Sequence, residues 1–128
     1  MNKTAVYDTR FFIQLYRTTD EEARKKIRVE MTRKEKYVSS VVIYELYNNS
    51  IEIDERETAK TKVAYVKQDF NIISVDCQVA EVSAEFRHKY HISMGDSIIA
   101  ATALMLKAVC ITDDQHIKQI KEIQTSWI

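Results

Sequence analysis

Four acidic residues far apart in the chain stand where a single fold could gather them: Asp8, Glu45, Asp96 and Asp114. Each has an ordinary reading alone. Asp96 could cap a helix, Asp114 could open a turn, and Glu45 could be a surface acid. Asp113 adjoins Asp114 and competes for the same role. Gathered in one cleft, the acids acquire a different chemistry. Two carboxylates roughly 5 Å apart repel by about 3 kcal/mol at an effective dielectric near ~20. Four cannot all stay ionised without a cation or shifted pKa values. Oxygen-only ligands select a hard ion, so Mg2+ or Mn2+ fits. Such an ion lowers the pKa of a water and neutralises charge on a phosphoryl oxygen, which suits phosphodiester hydrolysis.

The elements that must position these acids follow from the pattern. Thr4-Ala5-Val6-Tyr7 reads as a short strand ending at Asp8, and Thr9 to Tyr16 as a helix with Phe11, Phe12 and Leu15 on one side. Thr19-x-x-Glu22 has the form of a capping box, so a charged helix starts near Asp20 and runs to about Arg33. Tyr37-Val38-Ser39 is a second strand, with Ser39 or Ser40 capping the helix that carries Glu45. Val41-Val42-Ile43 resists helix by propensity, but Ile43, Leu46 and Tyr47 have helical spacing. Another helix covers about Glu55 to Gln68.

Asn71 to Val75 reads as a third strand, and Asp76 as the cap of a helix from Cys77 to Tyr90 with Val79, Val82 and Phe86 on one stripe. Gly95-Asp96 opens a helix that is apolar nearly all round from Ser97 to Lys107 and should be buried. Ala108 to Thr112 is an apolar strand, a short helix follows from about Gln115, and Thr125 to Ile128 forms a last strand. Apolar strands alternating with helices imply an α/β fold whose mostly parallel sheet is covered on both faces. Ligands of such sheets bind beyond the carboxyl ends of the strands, which is where Asp8 and Asp114 fall.

Composition narrows the field. A chain of 128 residues has the size of one domain, and 45% hydrophobic content is enough for a core. One glycine and no proline argue against long flexible linkers. Nineteen basic and nineteen acidic residues cancel, which argues against a protein held on nucleic acid by a broad positive field. A nuclease is still compatible, because a metal and a few local Lys or Arg can hold a phosphate. Cys77 and Cys110 lack metal-ligand spacing and read as reduced, buried small hydrophobes. Met1 to Val6 is too short for an apolar targeting core, and no stretch approaches a membrane span of ~20 apolar residues. A cytoplasmic protein is expected, with no membrane association.

Four segments in order resemble a known family. Val6-Tyr7-Asp8-Thr9, Val38-Ser39-Ser40-Val41-Val42-Ile43-Tyr44-Glu45-Leu46, Ile92 to Ala103 around Gly95-Asp96, and Ile111-Thr112-Asp113-Asp114 are similar to the acidic motifs of PIN-domain nucleases, especially VapC-type toxins of toxin–antitoxin pairs. The resemblance implies a three-layer α/β/α sandwich over residues 1–128 and endoribonuclease activity dependent on Mg2+ or Mn2+. It implies Asp8, Glu45, Asp96 and Asp114 as the catalytic acids, the Thr-x-Asp register choosing Asp114 over Asp113. Asp8, Asp96 and Asp114 would be metal ligands, with Asp8 and Asp96 foremost. Glu45 and Asp114 would complete the site or orient the attacking water, and Thr9 and Thr112 would supply supporting hydroxyls. The implied partners are an RNA substrate, a small VapB-type antitoxin and a second copy of the chain.

The sequence also departs from that pattern. Arg10 stands where a small polar residue is common, Val42 replaces a frequent Thr, and the glycine usual between the buried helix and its strand is missing at Leu106-Lys107-Ala108-Val109. Arg10 either binds phosphate or points away. Asp76 has enough to do as a helix cap. His88 and His91 lack the partners of a zinc site, and His116 reads as packing at the site's edge. Of Phe11 and Phe12, one is expected in the core and the other at an interface. Two alternatives to a toxin are an RNA-processing nuclease and an inactive PIN binding module. A phospho-acceptor receiver domain would need paired acids after the first strand, which are absent.

Overall fold

The computed structural model describes residues 3–128. Strand β1, Thr4–Tyr7, runs into α1, Thr9–Arg17. Then come α2 (Glu21–Met31), β2 (Glu35–Ser39), α3 (Ser40–Ile53) and α4 (Arg56–Asp69). The second half holds β3 (Asn71–Ile73), α5 (Cys77–Tyr90), α6 (Met94–Leu106), β4 (Val109–Ile111), α7 (Gln115–Lys118) and β5 (Gln124–Ser126). The strands form one sheet in the order β3-β2-β1-β4-β5. Every pairing is parallel, with Val6 opposite Tyr37 and Tyr7 opposite Ile111. Helices cover both faces, giving the three-layer α/β/α arrangement that the pattern predicts. Because all five strands point one way, all their carboxyl ends share one edge.

The central strands are buried because they are apolar on both faces: Ala5, Val6, Tyr7 and Cys110 have no exposed surface. Helix α6 is divided between two apolar clusters. Ile99 and Ala103 join the cluster around the sheet, while Ile98, Ala100 and Ala101 pack with Val79 and Phe86 of α5. The small alanines let helix and neighbours approach closely. Val41, Val42 and Ile43 are helical despite their β-branching. The Ser39 hydroxyl accepts the Val41 N–H at 3.1 Å, and Val42 is fully buried, so capping and packing outweigh propensity.

Several expectations are corrected. The cap of α2 is Asp20, which accepts the Ala23 N–H at 3.0 Å, rather than Thr19; both residue types cap, and the carboxylate stands at the position that reaches that N–H. Phe11 and Phe12 are both fully buried, so neither is left for an interface. They can be, because α1 is covered on two sides: the Tyr7 ring of β1 packs tilted against Phe11 with centroids 4.8 Å apart, and Phe70 meets Phe12 edge-on at 5.0 Å. Each buried ring contributes about 2–3 kcal/mol of hydrophobic stabilisation. Cys110 is buried but Cys77 is exposed, since it opens α5 on the solvent side just after its cap. Strand β3 stops at Ile73, short of Val75, and β5 stops at Ser126, short of Ile128.

The missing glycine before β4 is replaced by strain. Lys107 itself takes the left-handed conformation, φ 52°, as the C-cap of α6. That costs a non-glycine residue about 1–2 kcal/mol. The turn nevertheless closes, with the Ala108 N–H donating to the Ala103 carbonyl at 3.0 Å. No helix among the described residues is long and apolar enough to cross a membrane.

Candidate active site

The carboxyl ends of β1 and β4 are tied together where the Asp8 N–H donates to the Ile111 carbonyl at 3.1 Å. Asp8 occupies the N-cap position of α1, yet its side chain makes no capping hydrogen bond. Its Oδ2 instead accepts from the Thr112 hydroxyl at 2.6 Å, across 104 residues of sequence. The same hydroxyl accepts the Asp114 N–H at 3.0 Å. One buried threonine therefore holds two of the four acids. Thr9, the first residue of α1, donates to Glu45 Oε1 at 2.6 Å and fixes the acid of α3. Asp96 lies in the first turn of α6, its N–H capped by the Ser93 hydroxyl at 3.1 Å. That turn favours a negative charge through the helix dipole.

Asp8, Glu45, Asp96 and Asp114 all line one cleft of about 380 Å³, together with Thr9. Asp8 is the most enclosed, at 3% exposure. Burial pushes its carboxyl up to about 6; the Thr112 hydroxyl opposes the rise, and the charges of Asp96, Asp114 and Glu45 add to it. Burial also raises Asp96, aided by Asp114 and opposed by Ser93 and His116. An acid that stays neutral more readily than its type is the mark of crowded negative charge in a poorly solvated cleft.

Among the described residues, possible ligand atoms of Asp96, Asp114 and His116 all lie within 4.8 Å of one another. Asp8 lies outside that trio, more buried, but its carboxyl feels both acids of it. Carboxylate oxygens are the donor type that hard divalent ions take, so the residues present fit Mg2+ or Mn2+. His116 comes closer than its sequence position suggests, with Nδ1 3.7 Å from both Asp96 Oδ2 and Asp114 Oδ1.

Asp113 points elsewhere. It pairs with Arg10, whose Nε donates to Oδ1 while Nη2 reaches Oδ2 at 3.3 Å, and the guanidinium holds the Asp113 carboxyl below its usual range. Asp76 caps α5, accepting the Val79 N–H at 2.9 Å. His88 and His91 enter no metal-ligand grouping among the described residues. Sequence reasoning overlooked the outer wall of the cleft: Asn48, Asn49 and Glu52 continue from Glu45 along α3. Their spacing of three, four and seven residues from Glu45 was the available signal.

The sequence profile of the PIN domain matches residues 5–123. The chain belongs to the PIN-domain family. Its fold is shared by solved structures over nearly their whole length. VapBC2 from Rickettsia felis, bound to a DNA fragment from its promoter, has a TM-score of 0.81 at 16% identity, covering 98% of each chain. DNA-bound VapBC from Salmonella typhimurium has a TM-score of 0.80 at 18% identity, covering 97% of each. VapBC-1 from nontypeable Haemophilus influenzae has a TM-score of 0.77 at 20% identity, covering 96% of each. At such identities the likeness establishes the PIN fold and nothing finer. No curated protein matches the chain.

Proposed function

We propose that this PIN domain is a divalent-metal-dependent endoribonuclease, the toxin of a VapBC-type pair restrained by a small VapB-type antitoxin. The observation that carries the reading is Asp8: at a helix N-cap, its carboxylate forgoes the cap and is held by Thr112 beside three other acids. Such an arrangement costs stability unless a cation occupies it. PIN-domain proteins are a nuclease family, which supports hydrolysis of phosphodiester bonds. The VapBC complexes that share the fold support the toxin assignment and a VapB-type partner.

In this reading Asp8, Asp96 and Asp114 would hold Mg2+ or Mn2+. The ion, when bound, lowers the pKa of water and offsets charge on a phosphoryl oxygen. Glu45, anchored by Thr9, orients the attacking water and takes its proton. Thr112 keeps Asp8 and Asp114 in register. Arg10 stands on the cleft rim, where a guanidinium can meet the phosphate backbone. The protein would act in the cytoplasm as a homodimer.

Mapping cleaved cellular RNAs after brief induction tests this directly. Wild type should give discrete new RNA ends and growth arrest, relieved by co-expressing a VapB-type antitoxin that binds it. Asp96→Asn should give neither. The same RNA ends with both proteins would overturn the assignment. Discrete cleavage without arrest would favour an RNA-processing nuclease instead.

A further inference from the structure

We infer that His116 is a nitrogen donor of the metal centre and biases it toward Mn2+ over Mg2+. The inference rests on the metal-dependent reading above and adds a residue to it. Helix α7 is a single turn, and its N-cap is Asp114. The Asp114 Oδ1 accepts the His116 N–H at 2.8 Å, which fixes the histidine backbone directly over that carboxylate. The ring then turns back to the site. Its Nδ1 stands 3.7 Å from Asp114 Oδ1 and 3.7 Å from Asp96 Oδ2. Three ligand atoms thus converge from two elements, the first turn of α6 and the turn after β4.

The spacing suits coordination. Around an ion with ligand distances of about 2.1 Å, adjacent donors lie about 3 Å apart and opposite donors about 4.2 Å. The two 3.7 Å separations from His116 fall between these values, and the trio as a whole, within 4.8 Å, closes onto an ion with a small side-chain rotation. The side chain is 70% exposed, so nothing packed around it resists the small rotation required. That exposure also speaks against a role in the core.

The donor type decides the selectivity. Mg2+ prefers oxygen ligands and retains its waters. Mn2+ too favours carboxylates and stands lowest of the first-row divalent ions in affinity for nitrogen donors, yet it accepts an imidazole more readily than Mg2+ does. One nitrogen added to a carboxylate set strengthens Mn2+ binding more than Mg2+ binding.

Metal binding, measured without RNA, tests this on wild type, His116→Ala and His116→Asp. Pulsed electron paramagnetic resonance of bound Mn2+ should show imidazole nitrogen coupling in wild type and none in either variant. Calorimetry should show Mn2+ affinity falling roughly tenfold in His116→Ala, with Mg2+ affinity little changed. His116→Asp restores an oxygen donor, so it should recover binding while shifting preference toward Mg2+. Wild-type Mn2+ without nitrogen coupling, coupling that survives in His116→Ala, or equal losses for both metals would overturn the inference and leave the nuclease reading standing. Wild type that binds no Mn2+ at millimolar metal would overturn both.

Discussion

Gly95, the one glycine of the chain, lies directly against the carboxylate of Glu45. A Cβ at this position would stand 2.6 Å from Glu45 Oε2. No positive φ demands glycine here. What demands it is the close approach of α6 to an acid of α3. The clashing atom is the far end of a flexible side chain, so Glu45 would move before the backbone did. Gly95→Ala should therefore leave stability within about 1 kcal/mol of wild type, helped by alanine's helix propensity. Activity should fall roughly 10- to 100-fold as Glu45 leaves Thr9. Thermal melting and RNA cleavage measured side by side check this; a fully active variant would show that the position of Glu45 does not matter.

Asp8 makes the ion-free protein sensitive to pH. Its carboxyl titrates near 6 in the fold against an ordinary 3.8, because of burial first and the neighbouring acids next. The fold thus favours the protonated form. This stabilisation is complete below pH 3.8 and is lost as pH rises through about 6. The difference corresponds to about 3 kcal/mol. Without metal, Asp8→Asn should be more stable than wild type at neutral pH, and the gap should close on acidification. Added Mn2+ should stabilise wild type but not the variant. Denaturation curves across this pH range decide the matter, and an ion-free Asp8→Asn less stable than wild type at neutral pH would refute the account of crowding.

The Arg10–Asp113 pair is exposed on the cleft rim, with side chains 52% and 36% accessible. Such a pair adds at most about 1 kcal/mol to stability. Arg10→Ala should accordingly melt close to wild type. If the guanidinium meets RNA phosphate, the variant should bind RNA more weakly, and its affinity should depend less on salt, by about one unit of the log–log slope. Titrations at several salt concentrations read this out; an unchanged slope means that Arg10 serves Asp113 alone.

Much of this arrangement was legible from the residues. The apolar strands at Val6 and Cys110 announced a parallel sheet, and a parallel sheet puts Asp8 and Asp114 on one edge. Other features depend on how segments meet, which spacing along one segment does not record. Helical periodicity marked Phe11 and Phe12 as apolar, but only the positions of Tyr7 and Phe70 show both sides covered. Thr19 and Asp20 are both good caps, and the geometry of one turn chose between them. The closeness of Gly95 to Glu45, and of His116 to Asp96, joins segments tens of residues apart. The strained Lys107 shows the reverse case: a missing glycine was visible, while its solution was not.

The most direct test of the four-acid site is cleavage of a structured RNA by the purified protein, with Asp96→Asn as its partner. Wild type should cut the RNA when Mn2+ or Mg2+ is supplied and stop when the metal is chelated. Asp96→Asn should lose at least roughly 100-fold of that rate while melting as a folded protein. Equal, metal-independent cleavage by both would contradict the claim that these carboxylates form one catalytic metal centre.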